Sequence, residues 1–597
     1  MMELQTLSTA PASPEANVSD AKSESHALTN LASVDALAAV SLALAGCSGG
    51  SGGGSGNEDT PDDLALPTQA QSARFLSQAG LGANSAAVAA LNGTGYASWF
   101  DTQTAMPVTD SRFDWLLAKG YGKAADRTNF VGADNMIWRK LIASPDVLRQ
   151  RVVLALSEIF VVSMEGLTGA WAKFALAAYL DMLETHAFGT FRQLLQGVTL
   201  SCAMGMYLNM RGNRKGDAKT GRQPDENYAR EVMQLFTIGL HELNLDGTPV
   251  LGADGQPIET YSNTDVMALA RALTGWSWAF ADTHLTEQTF RFATPDIRSA
   301  AADQRIDLLP MKAYPGLHST GEKRLFNGKP WAAVLPAGQT AQSDLNLVLD
   351  TLFNHPNVGP FIGRQLIQRL VTSHPSPAYV ARVASVFNNN GAGVRGDLAA
   401  VVRAILLDAE AVAPPIGATG KLREPVLALA QWLRATAARS SSGEYLLSFD
   451  LDASSQRAWS APTVFGYFRP GYVPPNSSFA NNNTTVPELQ LANESTTTRW
   501  VNMAMNMAGP GLGWNNTAFD VQADLQPLID LSMAGRVDAM VEHLNLLLHA
   551  GRMSPALKTD ITDAVTTVFG IDAASHANRA RVALFLALAA PEYLIQR

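Results

Sequence analysis

Asp225-Glu226-Asn227-Tyr228-Ala229-Arg230-Glu231-Val232-Met233-Gln234-Leu235-Phe236-Thr237-Ile238-Gly239-Leu240 reads as an amphipathic helix. Asp225 suits the N-terminal cap, Gly239 can end the helix, and Tyr228, Val232, Leu235 and Phe236 recur at the spacing of a buried stripe. Glu226 and Arg230 stand four apart, as do Asn227 and Glu231, so each pair shares a helix face. Glu231 falls at the edge of the apolar stripe. A carboxylate there is either held by an arginine or carries a raised pKa suited to acid–base work. Two readings stay open: a semi-buried ion-pair network bracing the helix, or a site carboxylate.

The same periodicity extends outward. In Ser144 to Ser163, Ser144 is a candidate N-cap, Pro145 takes the first helical position, and Leu148, Val152, Leu156 and Ile159 form a core-facing stripe. Asp344 to Phe353, Val358 to Val371, Tyr379 to Asn388, Asp397 to Leu407 and Arg579 to Ala589 read similarly, punctuated by Pro, Gly and Asn. The fold class is therefore mainly α, a multi-helix globular body. Two Asp-Gly pairs, at 246–247 and 254–255, predict a small β-hairpin or flap within Asn244 to Tyr261, projecting from that body. Phe465 to Thr485, with Pro470, Pro474, Pro475 and Asn481-Asn482-Asn483, is too long for a passive connection; ordered loops of this kind serve or cover a site.

The 597 residues are 47% hydrophobic and 16% charged, enough for a large core in roughly two to four domains. The net charge of -10 comes from scattered carboxylates with no basic run, so nucleic acid is not an expected partner. Two distant cysteines, Cys47 and Cys202, exclude a disulfide framework and a thiolate zinc site. No zinc-protease, dinucleotide, P-loop or EF-hand pattern occurs; Gly49-Gly50-Ser51-Gly52-Gly53 matches a nucleophile elbow only formally, inside a Gly/Ser tract. The sequence names no metal or cofactor.

Near the N-terminus a short apolar stretch, Leu37 to Ala45, ends in Leu44-Ala45-Gly46-Cys47 and runs into Ser/Gly from Ser48 to Gly56. This pattern is similar to a bacterial lipobox with a flexible tether, in which Cys47 is lipidated and anchors the protein to a membrane. Residues 1–36 carry one lysine, Lys22, against several acids, unlike the cationic start of a signal peptide; the alternative is a low-complexity tail with an incidental cysteine. The expected layout is a signal-like segment at 1–47, a tether at 48–66 and a helical domain at 67–597 with a possible sub-boundary near 410–420.

Asp265 lies near a helix start and Arg271 lies inside that helix, where Arg271 is a natural partner for Glu231 if the two helices pack together. Thr274-Gly275-Trp276 ends the helix and sets a large aromatic at its exit. His318 precedes Gly321-Glu322-Lys323; a lone histidine is more often a hydrogen-bonded structural residue than a base. The candidate catalytic set is Glu231, Arg230, Arg271 and His318, and the candidate binding set is Glu226, Asn227, Asp265, Trp276 and Lys323.

Glu226 to Glu231, followed by Leu235-Phe236-Thr237 and Gly239, resembles the signature of the bacterial domain-of-unknown-function 1800 family. Arg271 with Thr274-Gly275-Trp276, His318 ahead of Lys323 and Gly328, Lys421-Leu422-Arg423-Glu424-Pro425, Phe468-Arg469-Pro470-Gly471-Tyr472 and Ala590-Pro591-Glu592-Tyr593 resemble it too, in order, over about residues 70–597. The resemblance implies an exported α-helical protein of undefined activity, partnered by an exported sulfatase-like protein at the cell envelope. It departs from the family pattern at Ser157-Glu158-Ile159-Phe160 and His318-Ser319. Two functions follow as expectations: a lipid-anchored envelope scaffold, or a hydrolase of envelope or extracellular polymers using Glu231 with Arg230 or Arg271.

Overall fold

The structure is a computed structural model that describes residues 66–295, 305–414, 420–447, 450, 456–515 and 517–597. Cys47, the signal-like segment and the tether up to residue 65 lie outside the described residues, as do residues 415–419 of the proposed sub-boundary.

The chain is mainly helical, with few short strands in small sheets. The expected helices form at Ala341–Asn354, Val358–Leu370, Pro377–Asn388, Leu398–Leu406 and Ala573–Ala589. Four of the five begin where a side chain can take an orphan backbone N–H: Thr340, Ser376, Asp397 and Asp572 all cap their helices this way. The helix expected from Ser144 starts later, at Val147–Ser157. Ser144 does not cap it; its hydroxyl donates to the buried Asp146 carboxylate, which also accepts from Gln150 Nε2 at 3.3 Å and pairs with Arg149 at 3.2 Å. Leu148, Val152, Leu156 and Ile159 are buried as expected.

Apolar side chains from Phe75 to Tyr593 pack into one continuous core, each large aliphatic contributing roughly 1.5–3 kcal/mol by leaving water. Val358–Leu370 packs on Pro377–Asn388 and on Val147–Ser157, and Ala573–Ala589 on Glu494–Ala508 and Pro555–Thr566. The strands are antiparallel pairs or a triplet that tie distant segments together. Lys421–Leu422 pairs with Ile595–Gln596, and Trp276–Ser277 with Lys312–Ala313.

The predicted hairpin is made of bridges rather than regular strands, His241 with Glu259, Leu243 with Pro249 and Leu251 with Pro257. Gly247 and Gly255 supply its turns at φ 78° and 75°. It is pinned to the body instead of projecting freely. Asn357 Nδ2 donates to the carbonyls of Ile238 and His241, both at 2.7 Å, and Lys329 Nζ donates to Glu242 at 2.6 Å. Among the described residues no helix is long and apolar enough to cross a membrane.

Candidate functional site

The signature helix spans Asn227–Gln234, shorter than its pattern. Beyond Gln234 the chain widens into a turn in which Phe236 N donates to Glu231 O at 3.2 Å and Gly239 N to Met233 O at 3.0 Å, with Gly239 at φ 70°. A Cβ on Gly239 would sit 2.8 Å from the Phe361 ring, so close packing as well as backbone angle requires glycine there. Tyr228, Val232 and Phe236 are buried, and Tyr228 Oη donates to Thr199 Oγ1 at 2.7 Å.

The head of this helix is held by side chains that precede it. Asp225 Oδ1 accepts from Asn227 N at 2.9 Å. Asn213 clamps Asp225 from both sides: its Nδ2 donates to Asp225 O and its Oδ1 accepts from Asp225 N, each at 2.9 Å. Asn209 Nδ2 reaches Asp225 Oδ2 at 3.2 Å. The Thr274-Gly275-Trp276 segment locks against the same loop, Gly275 N donating to Asn213 O and Gly212 N to Trp276 O, both at 2.8 Å. Gly275, at φ 89°, lies so near His318 that an added Cβ would meet its backbone at 3.1 Å.

This loop walls an open cleft of about 400 Å³ whose lining includes Asn209, Arg211, Asn213, Arg214, Arg222 and Asp225. Arg214 pairs with Glu287 at 2.8 Å, and Arg222 folds back to donate to Lys215 O at 3.2 Å. Arg211 differs from both. Its guanidinium stands 5.1 Å over the Trp278 ring, its Nε has no hydrogen-bond partner, and no described carboxylate pairs with it. Burial lowers its pKa, an effect the Cys202 thiol partly offsets. On a chain of net charge -10, this is a local donor-rich cleft that suits a polar ligand bearing negative charge.

The candidates from sequence are dispersed. Glu226 and Arg230 form the expected pair at 2.6 Å on a solvated face. The pairing of Glu231 with Arg271 is not made: the Arg271 side chain is exposed, and Glu231 is buried with its Oε2 unpartnered. Desolvation pushes the Glu231 carboxyl up, against a weaker pull down from Arg230, and Tyr207 and Tyr261 are raised chiefly by their own burial, with a smaller push from Glu231. Asp265 caps its own helix, accepting from Ser262 N and Oγ at 2.7 Å, and its second oxygen takes Phe326 N at 2.5 Å. Trp276 is buried and does not line the cleft. His318 is sealed, Nδ1 3.0 Å from Thr274 O and Nε2 3.2 Å from Asp344 Oδ2, and Lys323 Nζ donates to the same Oδ2 at 2.5 Å. Asn227 contributes its backbone N–H to the Asp225 cap.

A second polar assembly has no counterpart among the sequence candidates. Arg151, Glu158, Arg369, Lys421, Glu424 and Glu488 meet in the interior, all at most 6% exposed. Lys421 Nζ lies 3.0 Å from Glu424 and 3.4 Å from Glu488. Gln456 Nε2 donates to Glu424 Oε2 at 2.6 Å. Burial is the largest influence on both Glu158 and Glu424. Repulsion from Glu424 adds to it at Glu158, whose carboxyl is pushed well up, whereas Lys421, Arg369 and Arg151 overcome it at Glu424, drawing that carboxyl down to about 2. The Phe465–Thr485 stretch covers this assembly: Gln368 Nε2 donates to Pro470 O at 3.0 Å, Thr485 Oγ1 to Ser373 O at 3.0 Å, and Arg369 stacks 4.4 Å from the Phe468 ring. Among the described residues no group of three or more His, Cys, Asp or Glu is placed to hold a metal ion.

The chain belongs to the family described as "Protein of unknown function (DUF1800)", whose model matches residues 74–595. No curated protein and no solved structure matches the chain.

Proposed function

We propose that this is a lipid-tethered protein of the bacterial envelope that works by binding, holding a negatively charged group of an exported partner or polymer in the cleft at the head of the signature helix. The observation that carries this reading is Arg211, braced on Trp278 at the wall of the cleft with no carboxylate partner among the described residues. An anionic oxygen supplies what that guanidinium lacks. The sulfatase-like exported protein implied by the family resemblance is the proposed partner, and Cys47 the proposed anchor. With dextran sulfate as probe and neutral dextran as control, the full-length protein should bind only the charged polymer, and less at high salt. Arg211→Ala should weaken binding by about tenfold or more. Equal binding by the variant would sink the proposal.

Glu231 supports a second reading, an envelope or extracellular-polymer hydrolase. Its carboxyl is buried, one oxygen lacks a hydrogen-bond partner, and desolvation shifts it upward, the direction that suits a general acid, with Tyr207 and Tyr261 nearby. If it serves catalysis, Glu231→Gln removes polymer turnover while shifting the melting temperature by only a few degrees. Loss of folding in that variant would instead mark Glu231 as structural.

A further inference from the structure

The helices Pro555–Thr566 and Ala573–Ala589 pack against each other and are joined by the short turn 567–572. At its crest stand Phe569 and Ile571, 91% and 92% exposed, the most exposed large apolar side chains among the described residues. Met533, 64% exposed, follows Ser532, whose Oγ lies 2.9 Å from His576 Nδ1, which brings a third exposed apolar side chain to the same end of the helix Ala573–Ala589. Holding such a group in water is unfavourable, so it marks a contact surface.

The turn is shaped before it meets anything. Arg579 Nη2 donates to Val568 O at 2.6 Å and to Gly570 O at 2.7 Å. Gly570 sits at φ 101°, and a Cβ there would collide with Ser575 Oγ. Asp572 caps the following helix, its Oδ1 accepting from Ser575 N at 2.8 Å. The hydroxyls of Thr566 and Thr567 donate to Asp563 O at 2.8 Å and Ala564 O at 2.7 Å. Binding therefore orders little, and the polar groups around the crest are already satisfied within the protein, which entry into apolar surroundings requires.

A rigid, protruding apolar turn needs a partner that yields around it, as a lipid interface does. The local charge decides which lipid. Exposed acids on the two helices and their turn, Asp560, Asp563 and Asp572, outnumber the exposed cation, Arg581, so an anionic surface is disfavoured and a zwitterionic one fits. The point where the chain joins the body agrees. Eighteen residues separate Cys47 from Leu66, and a Gly/Ser-type tether of that length spans about 21–25 Å. The first described helix, Gln69–Ala79, lies against Gly551, whose added Cβ would meet Ala70 Cβ at 2.8 Å. Gly551 just precedes Pro555–Thr566, a helix of 12 residues and about 18 Å that ends at the turn. A body anchored at Cys47 can thus set this turn on the same bilayer.

We propose that the turn 567–572 inserts Phe569 and Ile571 into the interface of a zwitterionic lipid bilayer, a second membrane contact that orients the body; this rests on the tethered reading given above.

The test holds the full-length protein on phosphatidylcholine vesicles through an N-terminal histidine tag and a nickel-chelating lipid, in a Cys47→Ala background. Tethering supplies an effective concentration of about a millimolar whether or not Cys47 is ever lipidated. Ala574→Cys, exposed beside the turn, carries an environment-sensitive nitrobenzoxadiazole label, while Cys202 is buried and its thiol pushed up by that burial, so it stays unlabelled. The label should brighten on the vesicles and be quenched by brominated phosphatidylcholine. Phe569→Ser with Ile571→Ser, at positions too exposed to disturb the fold, should lower the inserted fraction about tenfold or more. An unchanged label on vesicles that hold the protein would overturn the proposal and leave a pocket on a partner protein as the target of the turn. Equal brightening in the double variant would overturn it too. Because the tag replaces the anchor, failure here leaves lipidation of Cys47 standing, and failure of lipidation leaves this result standing.

Discussion

Lys421→Met is expected to lose about 3–5 kcal/mol of stability, because it leaves Glu424 and Glu488 in the interior without their shared cation. Lys421 is fully buried and also donates to the carbonyls of Arg369 at 3.0 Å and Gln368 at 3.2 Å, so its removal orphans main-chain acceptors too. Glu158→Gln provides the contrast. Burial and repulsion from Glu424 push its carboxyl well up, the direction that favours the neutral form, so an amide of the same shape should cost about 1 kcal/mol or less. The 3.1 Å approach of Glu158 Oε2 to Arg369 Nε does not argue otherwise, since neither atom makes an aligned hydrogen bond. The two carboxyls also respond oppositely to pH. Glu424 is depressed to about 2 from 4.5, so its contribution is present above the unfolded value and is lost as pH falls through about 2. Glu158 is raised, so its contribution is present below the unfolded value and is lost as pH rises through the raised folded value. Urea denaturation of the two variants, followed by near-ultraviolet circular dichroism, checks the asymmetry; equal losses would show that the proton is not on Glu158.

Asp344→Asn should destabilise by a similar amount, about 3–5 kcal/mol, by stripping the buried Lys323 of its only carboxylate among the described residues. Asp344 Oδ2 also faces His318 Nε2 at 3.2 Å, so the loss loosens the wall behind Gly275 and the cleft loop it supports. Adding Lys323→Met to Asp344→Asn removes the stranded charge, and the double variant should recover part of the loss. A double-mutant cycle in urea measures the coupling; losses that simply add would mean that the ion pair contributes nothing of its own.

Helical periodicity made the fold class legible, because the apolar stripes of Val358–Leu370 and Pro377–Asn388 obey a local spacing that packing then honours. Boundaries were less legible. At Ser144 the hydroxyl turned to a buried Asp146, a preference set by tertiary burial rather than by the cap pattern. The Glu226–Arg230 pair was readable because both residues lie on one helix. Glu231 with Arg271 was not, since the rotation of one helix against another decides which side faces solvent. The cleft escaped for another reason: Arg211, Asn213 and Asp225 act from a loop, where no period marks direction and an Arg-Gly-Asn run centred on Gly212 is the only signal. The buried charge assembly gathers residues from 151 to 488, and spacing along the chain carries no information about such a meeting.

The binding proposal requires a body held at a membrane, and intact mass together with membrane partitioning in the native host tests this most directly, comparing wild type with Cys47→Ala. The proposal predicts that mature wild type begins at Cys47 with added acyl mass and sediments with membranes, while the variant leaves that fraction. Full-length, unmodified protein in the soluble cytoplasmic fraction for both would contradict it.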